Sequence, residues 1–131
     1  VYHPLSFLGN GQKDDESIAA SNAAYCAVDE DRFIDFHKAL YVVQSSAENS
    51  GFLNDDNLIA IGEKVGISSQ SFSDCVKNKS KLVNVATATD SMTRYQVRGT
   101  PTVLIDGKVW NRQNPNFDVN EFKAAVEAAV K

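Results

Sequence analysis

The residues of this chain that offer chemistry are few. They are two cysteines, Cys26 and Cys75, and the stretch Val97-Arg98-Gly99-Thr100-Pro101-Thr102-Val103. A thiolate attacks and exchanges disulfides, and a cysteine becomes one readily where a helix N-terminus or a neighbouring cation favours the charge. Neither cysteine stands in a Cys-x-x-Cys pair, and neither sits at an evident helix start among basic residues. Lys77 and Lys79 follow Cys75, but on one helix they point largely elsewhere. By composition, the isolated pair fits one structural disulfide in an oxidising compartment, and two reduced thiols in a cytosolic protein equally well. Gly99-Thr100-Pro101 has a plain reading as proline at the entrance of an edge strand. Its sharper reading is a cis-proline bend. Such a bend turns the carbonyl and amide of Thr100 outward, where they pair with an extended peptide in the manner of a strand.

Other polar groups carry less. His3 and His37 have no ligand spacing between them, and no metal site is expected. Gly9-Asn10-Gly11-Gln12-Lys13 lacks the spacing of a phosphate-binding loop. Asp14-Asp15-Glu16 and Asp29-Glu30-Asp31 read as helix caps and solvated ends. No Gly-x-Ser-x-Gly elbow or Ser/His/Asp set stands out. Trp110 and Phe117 border a peptide groove on one reading and pack against the last helix on the other, the plainer one.

These groups must be positioned by the elements around them. Val1 to Leu8 reads as a strand, with Pro4 confining it to an edge, an end or a bulge. Gly9-Asn10-Gly11 breaks it. The acidic run at 14–16 caps an Ala-rich helix that reaches Val28. A second helix is expected from Asp31 to Val43, with Phe33, Phe36, Leu40 and Val43 on one stripe. Asn54 or Asp55 caps a third, with Leu58, Ile61 and Val65 apolar and Gly66 at its end. Ser68 or Ser69 opens a short helix holding Phe72, Cys75 and Val76. A fifth spans about Lys81 to Tyr95, with Leu82, Val85, Ala86, Thr89 and Met92 on one face.

The period then changes. Thr102-Val103-Leu104-Ile105 and Lys108-Val109-Trp110 flank Asp106-Gly107, the signature of a type I′ hairpin. Asp118, with Glu121 three residues on, predicts a capping box for a final helix. Val119, Phe122, Val126 and Ala129 are its expected buried stripe. The order is strand, helical block, hairpin, helix, in an α/β chain without internal repeats.

The chain has 131 residues, 43% hydrophobic and 23% charged, in the range of one globular domain. A net charge of −4 without a basic cluster argues against nucleic acid as a partner. No apolar run approaches the roughly 20 residues of a membrane span. The chain opens without Met on Val1-Tyr2-His3-Pro4, as if inside a strand, so its N-terminal boundary is expected to be artificial.

The opening Tyr2-His3-Pro4-Leu5-Ser6-Phe7-Leu8, the helix around Ala23-Ala24-Tyr25-Cys26, Asp74-Cys75-Val76 and Val97-Arg98-Gly99-Thr100-Pro101-Thr102-Val103 occur in an order that resembles the bacterial DsbA-like protein-disulfide oxidoreductases. The resemblance covers essentially the whole chain. It implies a single thioredoxin-like domain over residues 1–131, with a helical insertion at about 14–95. It also implies an incomplete sheet, because the family's first strand and Cys-x-x-Cys helix would precede Val1. The strand at Val1 to Leu8 and the strand at Thr102 to Ile105 would then flank a slot instead of pairing. The family's activity is thiol–disulfide exchange on extended or unfolded cysteine-bearing clients, served by a redox partner protein, outside the cytoplasm and without a cofactor. Gly99, Thr100 and Pro101 would be the client-binding residues, and the chain alone would lack the nucleophile. Cysteines at similar places in related proteins favour a Cys26–Cys75 staple over free thiols or a redox-active pair. Two alternatives share the scaffold: a peptide- or partner-binding module without catalysis, completed by a strand from another chain, and a glutathione-transferase-kappa-like enzyme with an upstream serine.

Overall fold

The computed structural model describes residues 1–9 and 15–130. Asn10, Gly11 and Asp14, which the sequence reading placed in a break and a cap, lie outside them. The elements are α1 (Glu16–Val28), α2 (Phe33–Val43), α3 (Asp55–Lys64), α4 (Gln70–Lys77), α5 (Leu82–Arg94), β1 (Leu104–Ile105), β2 (Lys108–Val109) and α6 (Val119–Ala129). They form two compact units, Val1–Ser91 and Met92–Lys131.

The first unit is built on α1. Asp15 caps it, accepting hydrogen bonds from the amides of Ser17 at 2.8 Å and Ile18 at 3.1 Å. Ala19, Ala23, Ala24 and Ala27 are buried, so neighbouring backbones come close where larger side chains would hold them off. Phe36, Leu58, Phe72 and Val76 fill the core against that surface, and Phe36 meets Phe72 edge-on with centroids 5.6 Å apart. Gly62 of α3 lies against the Phe72 ring so closely that a methyl group there would overlap it.

Asn22 of α1 is fully buried. Its Oδ1 accepts from the Lys81 amide at 2.9 Å, and its Nδ2 reaches the carbonyls of Cys75 and Val76, each at 3.5 Å. One amide side chain thus serves the end of α4 and the segment leading into α5. Of the two candidates at each start, Asn54 caps α3 and Ser69 caps α4, each accepting from the amide three residues on. Lys79 forms an ion pair with Asp55 that joins the end of α4 to the start of α3.

Four helices end in the same way. Two bonds, one across five residues and one across three, close the last turn, and the residue between takes positive φ. Gly66 does this after α3, as its type predicts (φ 86°). Asp31, Lys79 and Gln96 do it after α1, α4 and α5 without glycine (φ 55°, 53° and 53°). Asp31 therefore belongs to the end of α1, and α2 begins at Phe33, two residues after the expected start.

Val1 to Leu8 is not a strand. Among the described residues, the one sheet is the antiparallel pair β1–β2. A strand exists only by sharing its backbone groups with a neighbour, and this segment is held by side chains instead. Ser6 N–H donates to Thr89 Oγ1 at 3.1 Å, and the Leu5 carbonyl accepts from Ser21 Oγ at 3.0 Å. The Tyr2 ring lies 5.4 Å from Phe33 and 5.3 Å from His37, and His37 lies 5.0 Å from Tyr41.

In the second unit, Asp106 and Gly107 both take positive φ (50° and 72°), the requirement of the type I′ turn. Leu104 faces Val109 and Ile105 faces Lys108, and the Trp110 amide donates to the Val103 carbonyl at 2.8 Å. Asp118 caps α6 through the amides of Asn120 and Glu121. No α6 residue is buried, contrary to the expected stripe. Phe122 and Val126 are half-buried, while Val119 and Ala129 are exposed. A two-stranded hairpin is too narrow to cover a whole helical face.

Two outcomes follow from this packing. Gly62→Ala gains up to about 1 kcal/mol of helix propensity, yet overpacking Phe72 costs roughly 1–3 kcal/mol, so denaturant unfolding shows a net loss of stability. Burial among the rings holds the His37 imidazole below its ordinary pKa, favouring the neutral form. Its contribution is therefore complete above the ordinary histidine pKa and is lost as pH falls from there through the lowered value of the folded state. NMR titration gives His37 a midpoint below that ordinary value, and His37→Gln flattens the acid limb of the stability profile.

Candidate functional site

Cys26 and Cys75 form a disulfide that joins α1 to α4, with Cα atoms 6.0 Å apart and a sequence separation of 49. Cys26 is buried and Cys75 half-buried. Each sulfur belongs to the last turn of its helix, where the backbone presents carbonyls and opposes a thiolate. The pair thus has the surroundings of a staple and lacks those of a reactive thiol.

Gly99, Thr100 and Pro101 come together in the second unit, on the segment between α5 and β1. The Thr100–Pro101 peptide bond is cis. The loop is clamped by Thr102 Oγ1, which donates to the Gly99 carbonyl at 2.5 Å. Thr100 and Pro101 are exposed. Among the described residues, neither the N–H nor the C=O of Thr100 has a hydrogen-bond partner.

Beside this bend lies a pocket of about 170 Å3, lined by Pro101, Thr102, Val103, Val109, Trp110, Arg112 and Phe117. Its back is an aromatic group. Trp110 meets Phe117 edge-on at 5.9 Å and Phe122 at 5.3 Å. Trp110 and Phe117 both line this pocket and both meet Phe122 of α6, but only Trp110 is half-buried there, and Phe117 is exposed where burial against the helix was expected.

The loop that carries Arg112 and Phe117 is fixed by one carboxylate. Glu121 accepts from the amides of Gln113 at 2.5 Å and Asn114 at 3.2 Å. The expected capping box is therefore only half made. Asp118 caps the helix, but the Glu121 side chain serves the preceding loop instead of closing back on Asp118. Asn114 Oδ1 then accepts from the Asn116 amide at 3.0 Å.

Sequence reasoning did not single out Arg112, Val103 or Val109 as site residues. A signal for Arg112 existed: it stands two residues past Trp110, and alternate residues of an extended chain share a face. His37 belongs to the ring row of the first unit, away from any cysteine role, and His3 is exposed. No helix among the described residues is long and apolar enough to cross a membrane.

A family model described as thioredoxin matches residues 5–128. No curated protein and no solved structure matches the chain.

The staple closes a loop of about 50 residues, worth about 4 kcal/mol on the chain-entropy model. Without reductant, intact-mass analysis after alkylation shows no added label. The double variant Cys26→Ala/Cys75→Ala unfolds at lower denaturant, with a stability loss of roughly 2–4 kcal/mol.

Proposed function

This chain belongs to the thioredoxin family, and on that premise we propose that it is the client-holding part of a DsbA-like thiol–disulfide oxidoreductase. Its architecture is an α/β thioredoxin-like fold, mostly helical here, with an incomplete sheet.

One observation carries the reading: Thr100 is exposed, its N–H and C=O have no partner among the described residues, and it precedes Pro101, which lines an apolar pocket. An extended client segment pairs its backbone with those two groups and places a side chain in the pocket. Exchange then needs a thiolate beside the bend. It attacks one sulfur of a disulfide, a mixed disulfide forms, and the other sulfur departs as thiolate. Cys26 and Cys75 are joined to each other in the first unit, so the nucleophile comes from a Cys-x-x-Cys outside these 131 residues. Clients are unfolded or extended proteins with cysteines, and a redox partner resets the active pair. The Cys26–Cys75 disulfide supports a setting outside the cytoplasm.

The same observation favours a second reading. With both cysteines committed to a staple, the domain serves as a peptide-binding module without catalysis. The sequence encoded ahead of Val1 separates the two readings: Cys-x-x-Cys supports the oxidoreductase, and its absence supports the module.

Titration with an extended peptide, its cysteine replaced by serine, shifts the NMR signals of Gly99, Thr100 and Thr102. Backbone N-methylation of that peptide at alternate positions weakens binding at least about tenfold, the worth of a hydrogen bond or two. Unchanged signals in that segment would refute the site. In insulin reduction, the 131-residue chain stays at the background rate.

A further inference from the structure

Charge is divided unevenly between the two units. Residues 1–91 carry seven Lys or Arg against thirteen Asp or Glu, net −6, whereas residues 92–131 carry six against four, net +2. The excess lies along the chain segments that build the pocket: Arg98 stands two residues before Thr100, Lys108 precedes Val109, and Arg112 lines the pocket itself. Arg98, Lys108 and Arg112 are exposed, and none has an ion-pair partner among the described residues. Asp106, in the hairpin turn, is exposed and forms no ion pair with them, and the two carboxylates that follow Arg112 are engaged elsewhere. Asp118 caps α6, and Glu121 holds the amides of Gln113 and Asn114.

The pocket therefore joins an apolar wall to one uncompensated guanidinium. Val103, Val109, Trp110 and Phe117 suit an aliphatic or aromatic side chain, and Arg112 suits a carboxylate beside it. We propose that the client segment held at this bend is acidic: an extended stretch with an apolar anchor in the pocket and an Asp or Glu next to it that pairs with Arg112. This names the substrate class of the peptide site at Thr100 and Pro101, and so rests on that reading.

Trp110 is the single tryptophan of the chain and reports on the pocket directly. The probes are four extended peptides with serine in place of cysteine. Three share an apolar anchor followed by Asp, Asn or Lys, and the fourth keeps Asp but replaces the anchor by serine. The Asp peptide binds about three- to tenfold more tightly than the Lys peptide, as expected for a partly exposed charge pair, and the gap narrows with added salt. Loss of the anchor weakens binding further. Arg112→Gln brings the Asp and Asn peptides to equal affinity, and Arg112→Lys keeps the order Asp, Asn, Lys. Circular dichroism and unfolding confirm that both variants fold, since Arg112 is exposed. Equal binding of the three anchored peptides to the native chain would overturn the acidic preference and leave the peptide site standing. An Asp advantage that persists in Arg112→Gln would overturn the assignment to Arg112. Failure of all four peptides to bind would overturn the site and the preference together.

Discussion

Asn22 joins three helices through one buried side chain. Its Oδ1 takes the Lys81 amide, and its Nδ2 faces the carbonyls that α4 leaves at its end. The two carbonyls also take the Ser80 and Lys79 amides, but the Lys81 amide has its partner in Asn22, and a buried backbone group left without one costs about 1–3 kcal/mol, so the turn from α4 into α5 depends on this residue. The disulfide sits at the same junction, since Cys75 carries one of those carbonyls. Hydrogen bonding and covalent linkage thus fix one place, and the small residues of α1 let the other helices close on it.

The same demand for backbone partners shapes the second unit with fewer means. There the hairpin is short, α6 is only partly covered, and order in the connecting loops comes from single side chains: Thr102 at the bend and Glu121 at the loop after β2. Thr100 is exposed, and neither its N–H nor its C=O has a partner among the described residues. On the proposed reading, this open pair of groups next to an apolar pocket is where a client chain completes the bonding.

Much of this was legible in the residues. Helix periodicity, Asn54 and Ser69 as caps, and Asp106-Gly107 as a turn depend on local chemistry that a sequence displays. What stayed hidden depends on partners. Val1 to Leu8 has strand-forming residues, but a strand needs a neighbour, and here side chains of other segments hold it. Glu121 had the spacing of a capping box, but loop amides offered it a better use. Asp31, Lys79 and Gln96 end helices in a conformation for which only Gly66 gave warning, because glycine is the one residue whose type announces positive φ. At the site, the Gly-Thr-Pro motif allowed the bend as one of two readings, and the order of motifs along the chain favoured it, whereas the pocket required Arg112 and Phe117 to be brought beside Pro101 by a loop with no pattern of its own.

The position of the Cys26–Cys75 bond has a consequence for the integrity of the molecule. The bond encloses α2, α3 and the exposed connection between them, residues 44–54. A protease that cuts there severs the backbone but releases nothing, because both pieces remain covalently tied through sulfur. Under non-reducing conditions the nicked molecule travels as one species, and only a reducing agent parts it.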